Sequence, residues 1–174
     1  LDSSMMYSSA VYQHKDMTLD QASDYKKELI CQKLQLKPMD HLVEIGSGWG
    51  GFAIYAAQNY GCKVTTITIS QAQYDEATKR IADAGLSHRV DVQLIDYRLL
   101  EGKFDKLVSI EMIEAVGEQY LSTYFNKCRS LLKPNGLGLI QAITIEDARY
   151  KKALNTVDYI KRYIFPGSFI PCIS

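Results

Sequence analysis

The chain has 174 residues, 47% of them hydrophobic, enough for one domain with a full core and no need of disulfides. Its 20 basic and 20 acidic side chains cancel, so no polyanion-binding surface is demanded and nucleic acid is disfavoured as a partner. The four scattered cysteines show no Cys-x-x-Cys pair or metal spacing, no apolar run reaches the ~18 residues of a bilayer span, and no signal peptide is visible, which favours reduced thiols and a cytoplasmic setting. The chain begins with Leu1 rather than Met, so a catalytic core within a longer protein is expected.

Thr18 and Gln21 form a capping box, and behind it Ala22, Tyr25, Leu29, Ile30 and Leu34 recur at helical spacing until Lys37-Pro38. Leu42, Val43 and Ile45 predict a short buried strand with Glu44 inside it. Four glycines in six residues follow, at Gly46, Gly48, Gly50 and Gly51, then a helix to Tyr60 closed by Gly61. A second strand runs from Lys63 to Ile69, and Ser70-x-x-Gln73 forms another capping box. Its helix carries Tyr74, Ala77, Ile81 and Ala84 inward and stops at Gly85. Val90, Val92 and Leu94 alternate as a third strand, and Lys106 to Ile110 form the fourth. From Glu118 a helix presents Leu121, Tyr124, Phe125, Cys128, Leu131 and Leu132 on one face. Lys133-Pro134-Asn135-Gly136 breaks it, and Leu137 to Ile145 is the fifth strand. The β-α rhythm predicts an α/β fold with a parallel sheet and right-handed crossovers.

Gly46-x-Gly48-x-x-Gly51 satisfies the dinucleotide pattern, a weak signal alone. A nicotinamide dinucleotide also wants an acid about 20 residues on, at the end of the second strand. No Asp or Glu occurs between Gly46 and Asp75. The acid is instead Glu44, beneath the loop. S-adenosylmethionine carries an ammonium and a sulfonium and no phosphate, so a carboxylate there suits it and would repel a pyrophosphate. NAD and an unliganded turn remain the alternatives.

In open parallel sheets ligands bind beyond the carboxyl ends of the strands. The residues there are Gly46 to Gly50, Thr68 to Gln73, Asp96-Tyr97-Arg98, Glu111 to Glu114, and Gln141 to Thr144. The first three groups suit a cofactor and the last two a substrate. Tyr97 suits either stacking on adenine or packing a strand end. Glu111 and Glu114 can both reach the pocket from one helical turn, or serve only as helix-dipole partners.

Tyr7-Ser8-Ser9-Ala10, Glu44-Ile45-Gly46-Ser47-Gly48-Trp49-Gly50, Thr68-Ile69-Ser70-Gln71-Ala72-Gln73, Glu111-Met112-Ile113-Glu114-Ala115-Val116-Gly117 and Tyr163-Ile164-Phe165-Pro166-Gly167 occur together in this order. Over nearly the whole chain they resemble the cyclopropane-fatty-acid synthase family, which includes the mycolic acid cyclopropane synthases. The resemblance implies a Rossmann-like class I methyltransferase core, a mostly parallel sheet with helices on both faces, here stopping before the last two strands. Residues 1–40 are then an N-terminal cap and helix, 41–146 the core, and 147–174 a lid over the acyl site. S-adenosylmethionine is expected at Tyr7, Ser8, Glu44, Gly46, Gly48, Trp49, Gly50, Thr68, Ile69, Ser70, Gln73, Asp96, Tyr97, Arg98 and Ile110.

The resemblance also implies methyl transfer to the cis double bond of an acyl chain, on a phospholipid or acyl carrier, then ring closure through a carbocation. Bicarbonate is the base in this family, held by a Glu, a Cys, a His and a Tyr. Carried over, the Glu is Glu114, Ser9 stands at the Cys position and Gln141 at the His position, while the Tyr lies beyond Ser174. Ser9 and Gln141 leave open a relative that makes methyl- or methylene-branched chains, or that methylates a small amine. In the lid, Ile164, Phe165, Phe169 and Ile170 offer apolar contact, and Lys151, Lys152, Lys161 and Arg162 suit an anionic membrane surface. Peripheral contact at the inner membrane face and a homodimer are expected; a solvated helix with a packed loop is the alternative for the lid.

Overall fold

The structure, a computed structural model, describes residues 1–173. Five strands form one sheet: β1 (His41–Ile45), β2 (Lys63–Thr68), β3 (Val90–Leu94), β4 (Phe104–Ile110) and β5 (Leu132–Gln141). Their order is β3-β2-β1-β4-β5 and every pairing is parallel. β1 is central, so its side chains alternate between two buried faces. Leu42 joins a core with Ile30, Phe52, Val64 and Ile81, beneath α1 (Leu19–Lys33), α2 (Gly51–Tyr60) and α3 (Gln71–Asp83). Val43 and Ile45 join the opposite core with Ile67, Leu107, Tyr124 and Leu131, beneath α4 (Leu121–Leu131). The predicted parallel sheet with helices on both faces is what forms.

α1 begins with both halves of its capping box, Gln21 N–H donating to Thr18 Oγ1 and Thr18 N–H to Gln21 Oε1. Its inward face differs from the expected one. Ala22, Ser23, Lys26, Lys27, Ile30 and Cys31 are buried, while Tyr25 and Leu29 are only half-buried. The two lysines lay their stems along the core and satisfy their heads locally, Lys27 on Asp24 at 2.8 Å and Lys26 on Ser8. At α3 only half of the expected box forms. Ser70 Oγ accepts the Gln73 N–H, but the Gln73 side chain turns to Thr68 and Tyr7. Ala84 is exposed, because α3 ends at Asp83.

β5 also departs from expectation at both ends. It starts at Leu132, because the Lys133–Gly136 stretch is absorbed as an irregularity between the Phe104 and Lys106 pairings. It stops at Gln141, since Ile143 N–H donates to Glu114 and Ile145 N–H to Pro171 O. Among the described residues β5 pairs only with β4. Beyond it come α5 (Asp147–Leu154) and a π-type turn at Ile160–Ile164.

Candidate functional site

The carboxyl ends of β1 and β4 meet at a cleft lined by Met5, Met6, Tyr7, Ser8, Glu44, Gly46, Ser47, Gly48, Trp49 and Ile110. Gly46 and Ser47 both donate to Ile67 O, which folds the loop back onto β2. Gly48 holds a φ of +49°, and a Cβ there would lie 3.3 Å from the Tyr7 ring. α2 follows with no side-chain cap at Gly50.

Glu44 is 2% exposed beneath this loop. Its Oε2 accepts from Thr66 Oγ1, its β2 neighbour in register, at 2.6 Å. Burial raises its pKa to about 8 against the opposing Thr66 bond. Among the described residues no basic side chain pairs with it. A buried carboxyl with no cation of its own is a site that a cationic ligand would complete.

The N-terminal segment forms the lid of this cleft. Asp2, itself buried, accepts from Ser4 Oγ and Met6 N–H, and Arg80 Nη1 donates to both Ser4 O and Trp49 O. The strap lies so close to α2 that a Cβ on Gly51 would sit 2.5 Å from Ser4 O. Tyr7 OH accepts from Gln73 Nε2 at 3.2 Å, and Gln73 Oε1 accepts from Thr68 Oγ1. Ser8 Oγ accepts from Lys26 Nζ at 2.6 Å. Burial pulls the Lys26 ammonium down to about 8, with the charges of Glu111 and Asp2 opposing.

One residue on, the main chain of Ser9 donates to Glu111 Oε1 at 2.8 Å. Gln141 Nε2 donates to the same oxygen at 2.8 Å. Ser9 and Gln141 therefore do converge, but the group they share is the carboxylate of Glu111. Glu111 has a left-handed φ of +48°, held by its N–H donating to Gln141 O at 2.8 Å. For a non-glycine residue that conformation costs roughly 1 kcal/mol. Glu114 stands apart from this pair: its Oε1 accepts from Ile143 N–H at 2.6 Å, and its buried Oε2 has no partner among the described residues. Bicarbonate fits this arrangement poorly. The Ser9 and Gln141 donors expected to hold it are engaged by a carboxylate already, and a free anion would face that like charge at close range.

The remaining expected cofactor residues divide. Ser70 and Ile69 follow β2 at the cleft's flank, with Ile69 77% exposed. Tyr97 packs its ring edge against Tyr124 at 5.7 Å, and burial raises its pKa. Arg98 pairs with Asp96 at 2.6 Å and lines a different depression with Thr123 and Lys127 against α4. Arg98 is thus not brought to the glycine loop. In the segment after α5, Phe169 is buried and its N–H donates to Glu114 O, while Ile164, Phe165 and Ile170 are exposed. Lys161 Nζ donates to the carbonyls of Ala153, Leu154 and Thr156. Lys26, Thr66 and Arg80 were absent from the expected site, and Glu111 was expected at the strand ends without a catalytic role. For Lys26 the signal was its spacing of four from both Ala22 and Ile30.

The whole chain, residues 1–174, matches the family described as mycolic acid cyclopropane synthetase. The chain belongs to this family. It is 40% identical over 173 residues to the cyclopropane-fatty-acyl-phospholipid synthase of Escherichia coli strain K12, covering 99% of the chain and 43% of that protein. A probable fatty acid methyltransferase of Pseudomonas putida is 38% identical over 177 residues, covering 100% and 45%. The chain thus spans less than half the length of these curated relatives. Among solved structures, the mycolic acid cyclopropane synthase CmaA1, complexed with SAH and CTAB, superposes with a TM-score of 0.90 at 28% identity, covering 99% of the chain and 64% of that one. The cyclopropane synthase MmaA2 of Mycobacterium tuberculosis gives 0.89 at 27%, with the same coverage. The fold of this family member is the class I methyltransferase fold, and the dinucleotide reading of the glycine loop falls with it.

Proposed function

We propose that the protein methylates the cis double bond of an unsaturated acyl chain on a phospholipid, using S-adenosylmethionine, and closes a cyclopropane ring. The observation that carries this is Glu44, a buried carboxyl without a cation beneath a glycine loop, one strand away from a second carboxylate centre at Glu111. When bound, the cofactor supplies an electrophilic methyl, which the alkene's π pair captures as the carbon–sulfur bond breaks. Glu44, the glycine loop, Tyr7 and Gln73 would hold it, with the Met5–Ser8 strap excluding water. Loss of a proton from the new methyl neutralises the positive charge left on the acyl chain and forms the third ring bond. The carboxylates at the ends of β4 stabilise that charge while it lasts. The exposed apolar run Tyr159, Ile160, Tyr163, Ile164 and Phe165, beside Arg162, suits contact with acyl chains at an anionic lipid surface.

A second reading is favoured by Gln141, which cannot titrate as an imidazole does. If a hydride first shifts from the methylated carbon onto the cationic one, loss of a methyl proton gives a methylene branch; if the proton leaves a neighbouring chain carbon, the product is a methyl-branched alkene. Expression of the gene in a bacterium with unsaturated phospholipids tests both. Lipid mass spectrometry should show the gain of one CH₂ per acyl chain. Mild hydrogenation then leaves a ring intact and reduces a methylene branch. Lipids of unchanged mass, with S-adenosylmethionine bound by the protein, would sink the acyl assignment.

A further inference from the structure

We propose that Glu111 is the built-in base of this site, its carboxylate standing where a free anion would otherwise be needed. The inference rests on the function proposed above. Glu111 is flanked by two residues at the cofactor cleft: Ile110 lines the cleft and the Met112 side chain lies over Gly46. Donors from two separate parts of the chain, Ser9 N–H and Gln141 Nε2, converge on its Oε1. Oε2 makes no hydrogen bond among the described residues and remains a proton acceptor. The left-handed backbone at +48° turns the carboxylate into this position, and its N–H locks onto Gln141 O. Strained backbone of this kind persists where the surroundings over-determine it, and it clusters at functional sites. Lys26 supplies the buried countercharge, its Nζ on Ser8 one residue from Ser9.

The step balances without any co-reactant. A C–H bond of the transferred methyl breaks, its electron pair forms the bond to the cationic chain carbon, and Glu111 takes the proton and later returns it to water. Two other acids lie on neighbouring elements, each with its own partner. Glu114 is one, its Oε1 committed to the Ile143 N–H. Glu44 is the other, bonded to Thr66 and placed under the cofactor loop.

The test uses the full-length enzyme with unsaturated phospholipid vesicles, in buffer stripped of carbon dioxide and in buffer with added bicarbonate. Wild-type turnover should be equal in both. Glu111→Gln keeps an acceptor for both donors but cannot take the proton, and should lower kcat by about 100-fold or more. Its S-adenosylmethionine affinity by calorimetry should move by less than about threefold, within the scatter of an unlinked site. Glu111→Gly fits the left-handed backbone without strain, so its fold is protected. It should lose turnover and regain part of it with added bicarbonate or formate filling the vacated space. A wild type that requires bicarbonate, or a Glu111→Gln enzyme with wild-type kcat, overturns the proposal while leaving lipid methylation standing. Absence of any methylated lipid from the wild type overturns the function and this base together.

Discussion

Replacing Glu44 by Gln separates the cost of burying this carboxyl from its use. Burial raises its pKa from 4.5 to about 8. A carboxyl with a higher pKa folded than unfolded binds more protons in the native state between the two values, so stability is greatest below that window and falls as pH rises through it. At about 1.4 kcal/mol per unit, the loss at pH 7 is about 3 kcal/mol, and at pH 5 less than about 1 kcal/mol. Gln is uncharged throughout and escapes it. Denaturant unfolding should therefore find Glu44→Gln more stable than the parent by about 3 kcal/mol near pH 7, with the gap nearly closed near pH 5.

Binding should show the opposite preference. A sulfonium-bearing ligand holds Glu44 ionised, so binding below pH 8 releases a proton. Affinity should tighten by about 50-fold from pH 6 to pH 8, the ratio of the ionised fractions of Glu44 in the free protein at the two pH values. Calorimetry of S-adenosylmethionine in buffers of different ionisation enthalpy measures the proton directly. Glu44→Gln should bind more weakly and release none. It is also the baseline, so titration of Lys26, whose ammonium burial pulls down to about 8, subtracts out. A parent that matches Glu44→Gln in stability at both pH values, and binds near pH 7 with no proton released, would refute the reasoning: Glu44 would then be ionised before the ligand arrives.

Two further outcomes test the local geometry. Gly51→Ala places a Cβ 2.5 Å from Ser4 O and 3.0 Å from Met6 Sδ, so the strap must shift. It should cost about 1–3 kcal/mol and weaken S-adenosylmethionine binding together; parent values of melting temperature and affinity would show that the strap is not packed there. Thr18→Ala removes the acceptor for Gln21 N–H while leaving the backbone donor of the reciprocal bond, and should lower stability by about 1 kcal/mol in denaturant with cofactor affinity unchanged. An unchanged denaturant midpoint would mean that the α1 start is held by packing alone.

What was legible in the sequence was local. The β1-loop-α2 unit is carried by short-range signals: apolar residues for a central strand, left-handed glycines for the turn, and Gly61 to close the helix at a φ of +67°. What was not legible depends on partners far along the chain. Lysine reads as solvated, so Lys26 and Lys27 were missed on the buried face of α1; their stems bury because Ser8 and Asp24 wait at the ends. Pro134 and Gly136 read as a break, yet the pairing with β4 carries β5 through them. The site shows the same limit most clearly. Ser9 and Gln141, separated by 132 positions, both donate to Glu111 Oε1. The acid between them was taken to be Glu114. Two acids three residues apart on a regular helix share a face, and spacing alone cannot choose between them. The choice was made by one backbone angle: a left-handed Glu111 leaves the helical path, turns its carboxylate toward the N-terminal strap, and leaves Glu114 to the Ile143 N–H. A motif carried over by residue type assumes that its donors are free to receive a ligand. Here both donors bond the Glu111 carboxylate, placed there by a left-handed backbone.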